Sequence, residues 1–136
     1  MECARQRSGE YSVANMVLAY EYAENVSRFR ADMEFDRIMP PTTKVIVNLG
    51  MLVEPHQNSN GFRRIPVTIR SQVIPVLDWE RSIHIYCESW SKMTPQERYR
   101  EFEIMHPFID GNGRVGAILY NWERLNEQPR VPPDLF

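Results

Sequence analysis

The chain has 136 residues, 43% hydrophobic and 25% charged, with a formal charge of −2 and a pI near 5.9. That balance fits one globular domain with one core and argues against broad, sequence-independent nucleic-acid binding. Cys3 and Cys87 make neither a disulfide framework nor a zinc pattern, the start "MECARQRSGE" is too polar for a signal peptide, and no apolar run approaches the ~18 residues of a membrane span.

In chain order, Val13, Met16, Val17, Tyr20, Ala23, Val26 and Phe29 recur at helical spacing from Tyr11 to Phe29, with Glu21, Glu24 and Arg28 toward water. "MPP" at 39–41 breaks the chain. "TTKVIVNLGMLVEP" then reads as a helix capped by Thr42 or Thr43 and stopped before Pro55, with Val45, Ile46, Leu49, Leu52 and Val53 as its apolar face. "HQNSNG" reads as a loop. "FRRIPVTIRSQVIP" is β-branched and roughly alternating, and Pro66 and Pro75 confine it to a short edge strand or hairpin. Helical spacing returns through Val76, Trp79, Ile83, Tyr86 and Trp90.

"TPQERYREFEIMH" carries the strongest helix-start signal. Thr94 can cap, Pro95 suits the first helical position, and Glu97 completes a capping box. Tyr99, Phe102, Ile104 and Met105 supply buried bulk, and Pro107 ends the helix at His106. After a glycine loop, "RVGAILYNWERL" reads as another helix, and "NEQPRVPPDLF" as an extended tail. The fold class expected is mainly α: a compact helical bundle over residues 1–128 with a small β-hairpin, followed by a proline-rich tail over 129–136.

The loop "HPFIDGNGRVG" concentrates the chemistry. Three of the six glycines fall between positions 111 and 116, ahead of or within a helix start. A helix N-terminus leaves backbone N–H groups without partners and carries partial positive charge, so glycines there let the amides converge on an anion such as phosphate. Asn112 would add an amide donor and Arg114 a guanidinium fork. Asp110 beside a phosphate makes sense as a ligand of a divalent cation, since magnesium binds through one or two carboxylates plus phosphate oxygens and water. His106 is then a candidate general base. These are the parts for in-line attack of a hydroxyl on phosphorus.

Blander assignments exist: a histidine at a helix end is commonly a cap or a packed residue, and Asp-Gly-Asn-Gly is commonly a surface turn. An EF-hand fails because, counting from Asp110, Arg114 falls at the fifth position, where an oxygen ligand is needed, and Asn121 at the twelfth, where Glu is needed. A Walker A loop fails for want of Gly-Lys-Ser/Thr. A zinc site on His106 and Asp110 lacks further local ligands.

The run His106-Pro107-Phe108-Ile109-Asp110-Gly111-Asn112-Gly113-Arg114 resembles the signature of Fic-domain proteins, His-Pro-Phe-x-Asp/Glu-Gly-Asn-Gly-Arg-x-x-Arg, with Ile109 at the free position. "EFEIM" is similar to the family's lead-in helix and "GFRRIPVTI" to its flap, so the resemblance covers roughly residues 45–125. It implies a Fic-type helical fold and transfer of a nucleotide monophosphate, usually AMP from ATP, to a protein Ser, Thr or Tyr hydroxyl: a protein adenylyltransferase, or AMPylase. It implies His106 as general base, Mg2+ held by Asp110, an anion hole of Gly111, Asn112 and Gly113 for the α-phosphate, and Arg114 on the leaving β-phosphate. Phe108 would anchor the loop in the core. The flap, around Arg64, Ile65, Pro66, Val67 and Thr68, would take an extended target segment by strand addition.

The resemblance stops at Ala117, where the family carries a second arginine that contacts the terminal phosphate. That removes a charge-assisted contact worth about 1.5–3 kcal/mol. No glutamate here has Ser or Thr four residues before it, so the family's built-in inhibitory motif is absent, and restraint, if any, falls to a separate inhibitory protein. Two alternatives stay open: the same fold with another phosphorus-containing donor (phosphate or phosphocholine transfer), or a non-catalytic nucleotide- or partner-binding module. Gly-Asn-Gly is intact, which disfavours phosphate transfer. The partner expected is a protein target, with neither nucleic acid nor membrane, in the cytoplasm or in a host cytoplasm after non-Sec export.

Overall fold

The computed structural model describes residues 9–33 and 39–133, so Cys3 and the last three residues lie outside it. The protein is mainly helical, with one two-stranded antiparallel sheet. Helix α1 spans Gly9–Met33 and packs on α2, Thr43–Val53. Small Ala19 and Ala23 make the buried face of α1, backed by Met16, Tyr20 and Val26, whereas Val13 and Val17 of the expected stripe are exposed. Thr42 caps α2 by accepting the Val45 N–H at 3.2 Å. Val45, Ile46, Leu49, Gly50 and Val53 form its buried face.

The hairpin pairs β1, Val67–Ile69, with β2, Gln72–Ile74, in the register Val67–Ile74, Thr68–Val73, Ile69–Gln72. Pro66 and Pro75 flank it, where a missing N–H costs no ladder bond. Arg70 and Ser71 make the two-residue turn, both at positive φ (50° and 66°), the geometry that matches the strand twist. Helix α3, Trp79–Glu88, is capped by Asp78 and buries Trp79, Ile83 and Tyr86, while Val76 stays outside it. A 3-10 turn, Trp90–Lys92, leads to α4, Pro95–Met105.

The expected capping box forms in full: Thr94 accepts the Glu97 N–H at 3.1 Å and Glu97 accepts the Thr94 N–H at 3.2 Å. Phe102 is fully buried, but Ile104 is half exposed. Buried Arg98 crosses the core edge. It donates to the Trp90 carbonyl at 3.0 Å, pairs with Glu123, and lies over the Trp90 ring.

Helix α5 spans Asn112–Tyr120, so it begins two residues earlier than expected, inside the glycine loop. It stops at Tyr120 and hands over to a 3-10 turn, Trp122–Arg124, rather than continuing to Leu125. Buried Asn121 sits at that handover. It donates to the Ala117 carbonyl and exchanges two 2.9 Å hydrogen bonds with the Arg130 peptide, so the start of the tail is fastened to the bundle. Helix α5 contacts α1, α2 and α4, and the core of Ile46, Leu49, Phe102, Ile118, Leu119 and Trp122 lies among them. No helix among the described residues is long and apolar enough to cross a membrane.

Candidate functional site

The loop between α4 and α5 leaves the helix through an unusual residue. His106 takes a left-handed conformation (φ 50°, ψ 60°), and its N–H closes the last turn on the Phe102 carbonyl at 3.0 Å. A non-glycine residue there costs about 1–2 kcal/mol, so the surroundings must hold it. The imidazole is half-buried and hydrogen-bonded to the Glu103 backbone. Its pKa is pushed below 6.5, chiefly by burial. The Glu103 hydrogen bond raises it, the Arg63 charge lowers it, and Asp110 raises it. At pH 7 the ring is therefore neutral. A neutral imidazole keeps a lone pair on one ring nitrogen that can accept a proton.

Phe108 pegs the loop to α2. It is fully buried, with ring centroids 5.2 Å from Phe62 and 6.4 Å from Phe102. Its ring occupies the space over Gly50, where a Cβ would stand 2.1 Å from Phe108 Cε1. The Phe108 peptide is clasped by Asn112: Oδ1 accepts its N–H at 2.9 Å and Nδ2 donates to its carbonyl at 2.8 Å. Both arms of that carboxamide are thereby engaged inside the loop rather than free to meet a ligand, and Asn112, at the first position of α5, is buried.

Gly111 is the N-cap of α5, at φ 79°, and no side chain caps the helix there. A Cβ on Gly111 would meet Val53 Cγ2 at 2.9 Å, so both conformation and space select glycine. Gly113 is exposed one turn-step further on. Asp110 Oδ1 accepts the Gly111 N–H at 2.7 Å, and its side chain is 59% exposed. Among the described residues no group of three or more His, Cys, Asp and Glu could hold a metal ion. A cation at this point would bind Asp110 together with ligand oxygens and water, a set magnesium accepts.

Arg114 turns back across Gly111. Its Nη1 donates to the Val53 carbonyl at 3.0 Å, its Nη2 lies 3.5 Å from Glu54 Oε2, and Asp110 Oδ1 is 3.8 Å away. Of the flap residues, Arg64, Ile65, Pro66 and Thr68 are exposed and Val67 is half-buried, with β1 starting only at Val67.

Two buried polar side chains that sequence reasoning passed over hold this loop in place. Asn58 donates to the carbonyls of Gly50 (2.9 Å) and Asp110 (2.8 Å) and accepts the Asp110 N–H at 3.4 Å. Arg63, 1% exposed, donates from Nε to the His106 carbonyl at 2.6 Å. In sequence Asn58 is one polar residue among several in "HQNSNG", and Arg63 is indistinguishable from Arg64. Glu103 was also passed over. Its Oε1 is buried without a hydrogen-bond partner among the described residues, near Gly113 and Gly116 of α5, and burial raises its pKa.

Together, a neutral imidazole, an uncapped helix N-terminus, an exposed carboxylate and a guanidinium occupy nine consecutive positions. Such a set can bind an anionic group and deprotonate a neighbouring hydroxyl. A scan against protein-family models found no match, and a search of curated proteins found none.

Proposed function

We propose that this chain is a Fic-type nucleotidyltransferase that moves AMP from ATP to a Ser, Thr or Tyr hydroxyl of a protein. The observation that carries the reading is a half-buried His106, its pKa lowered by burial, at the end of α4 with the start of α5 at Asn112–Gly113, where no side chain caps the helix, six residues on. The unprotonated ring nitrogen of His106 takes the hydroxyl proton. The acceptor oxygen then attacks the α-phosphorus, a new P–O bond forms, and the bond to the bridging oxygen of the β-phosphate breaks, releasing pyrophosphate. Backbone amides at the start of α5 stabilise the charge on the α-phosphate. Magnesium held by Asp110 supplies charge neutralisation on the phosphates when bound.

Arg114 would grip the departing β-phosphate, and to do so it must leave or share its contacts with Val53 and Glu54. The target would lie as an extended segment against the edge of β1, where strand addition supplies main-chain hydrogen bonds. A second reading, a non-catalytic nucleotide- or partner-binding module, is favoured by Ala117 and by the Arg114–Glu54 contact. Restraint by a separate inhibitory protein and a cytoplasmic setting belong to the proposal as well.

The test is transfer of label from ATP carrying the isotope at the α or the γ phosphate, with magnesium and a panel of cell extracts. Label from the α position alone, lost in His106→Ala, is the expected result. Label from γ alone would mean phosphate transfer. No label across the panel, with His106→Ala binding nucleotide as wild type does, would favour the binding module.

A further inference from the structure

Arg63 makes an arrangement that the proposed chemistry does not use. A guanidinium has five N–H donors, and here each group of them is directed at main-chain carbonyls. Nε donates to His106 at 2.6 Å, Nη1 to Ile65 at 2.8 Å and Ile74 at 3.3 Å, and Nη2 to Pro75 at 2.9 Å and Met105 at 3.4 Å. These carbonyls belong to three segments: the end of α4, the approach to β1, and the exit of β2. The Arg63 N–H adds a bond to the Pro107 carbonyl at 2.9 Å. Trp79 holds Arg63 in turn: its Nε1 donates to the Arg63 carbonyl at 2.9 Å, and the guanidinium carbon lies 4.9 Å from the ring centroid.

A buried cation served only by carbonyls is expensive to desolvate. A structural tie between hairpin and helix needs no charge, and a buried amide or hydroxyl network would serve. What the cation adds is specific to its position. The Met105 and His106 carbonyls close the C-terminal, partially negative end of α4, where a positive charge is favourable. The planar fork also fixes the direction of every bond it makes, which an ammonium does not. His106, whose backbone is strained, is the residue most in need of that direction.

We infer that Arg63 is a positioning residue for His106, fixing the imidazole to the base of the hairpin so that the flap and the base that takes the hydroxyl proton move as one body. The inference rests on reading His106 as that base. The charged groups that bear on the ring are Arg63 itself and Asp110, with Glu103 supplying a carbonyl from α4. Burial, the larger of the two influences that lower the His106 pKa, stays in place when the Arg63 charge is removed, but the loss of that charge shifts the imidazole toward its protonated form.

The test uses the full chain with Arg63→Lys and Arg63→Gln, each first checked for a cooperative melt. Four measurements follow: NMR titration of the His106 ring, amide exchange of the hairpin and of the His106 N–H, kcat and KM for α-labelled transfer. In Arg63→Gln the His106 midpoint is expected to rise. In Arg63→Lys, where a cation remains but the fork is lost, the midpoint moves less. In both variants hairpin and His106 exchange accelerate together, and kcat falls at least ~10-fold with KM for ATP unchanged, as misplacement of a base requires. An unmoved midpoint in Arg63→Gln, or hairpin exchange that accelerates without that of His106, overturns the inference.

If neither variant folds, scalar coupling across the hydrogen bond from Arg63 Nε to the His106 carbonyl in the wild type decides: its presence supports the tie, its absence removes it. Titration and exchange need no substrate. Coupled shifts in the variants of a chain whose wild type transfers no label sink nucleotidyl transfer and leave the tie standing.

Discussion

Glu54 holds its carboxylate 3.5 Å from the Arg114 guanidinium, at the point where α2 ends against the start of α5. Both side chains are largely shielded, with 18% and 27% of their surface exposed. The charge proposed to meet a phosphate is thus already partly answered by a carboxylate of the same chain.

Glu54→Gln is expected to tighten magnesium–ATP binding about 2- to 5-fold, because a partly exposed ion pair of this kind is worth up to ~1 kcal/mol. Isothermal titration calorimetry at fixed ionic strength reads it. Unchanged or weaker binding would count against Arg114 as a phosphate ligand.

The pH profile follows from His106. Burial holds its pKa below 6.5, so neutral pH favours the unprotonated form that the proposed base needs. The transfer rate is expected to rise with pH and to reach its plateau at a lower pH than an ordinary imidazole would give. The same shift has a stability consequence. Around these pH values the unfolded chain binds more protons than the folded one, so stability is full above pH 6.5 and is lost as pH falls through the folded-state pKa. A chemical-denaturation series from pH 8 to 5, compared with His106→Gln, isolates the contribution. A rate profile whose midpoint lies at or above pH 6.5 would contradict the assignment.

Glu103 has the opposite sign. Its pKa is raised by burial above 4.5, so its folded form holds a proton that the unfolded form releases. Its contribution is complete below pH 4.5 and is lost as pH rises through the folded-state pKa. Glu103→Gln should therefore be more stable than wild type at pH 7 and equal to it near pH 4. Denaturant midpoints at the two pH values check this, and equal midpoints at pH 7 would show that Oε1 is not desolvated.

The hairpin turn can be improved. Arg70 and Ser71 both carry positive φ, where a non-glycine residue costs about 1 kcal/mol or more. Ser71→Gly should slow amide exchange at Ile69 and Gln72, the hydrogen-bonded pair that closes the turn, by roughly 5-fold, the equivalent of ~1 kcal/mol. Faster exchange would mean that the turn is held by contacts of the serine.

What the sequence disclosed was local. Thr94 and Glu97 are three residues apart and satisfy each other, so the capping box was readable from four letters. The proline-flanked hairpin was readable for the same reason. The ties that shape the loop are long-range: Asn58 reaches Asp110 across 52 positions and Arg63 reaches His106 across 43. No periodicity marks such a residue, because its partners are main-chain carbonyls, which every residue carries. The early start of α5 was hidden differently. Gly111 alone absorbs the positive φ, so the helix begins at the very next residue instead of after the whole glycine run. For Asn112, composition suggested a donor facing outward, whereas its spacing of four from Phe108 closes it on that peptide.

The seat of Phe108 over Gly50 also sets a rule of inheritance. Because a single added carbon at position 50 would stand 2.1 Å from the ring, these two sites share one fixed volume. Descendants of this chain can enlarge residue 50 only by trimming residue 108, and the loop that carries the histidine would shift with every such exchange. The size of a side chain on α2 thereby becomes a heritable constraint on where His106 stands.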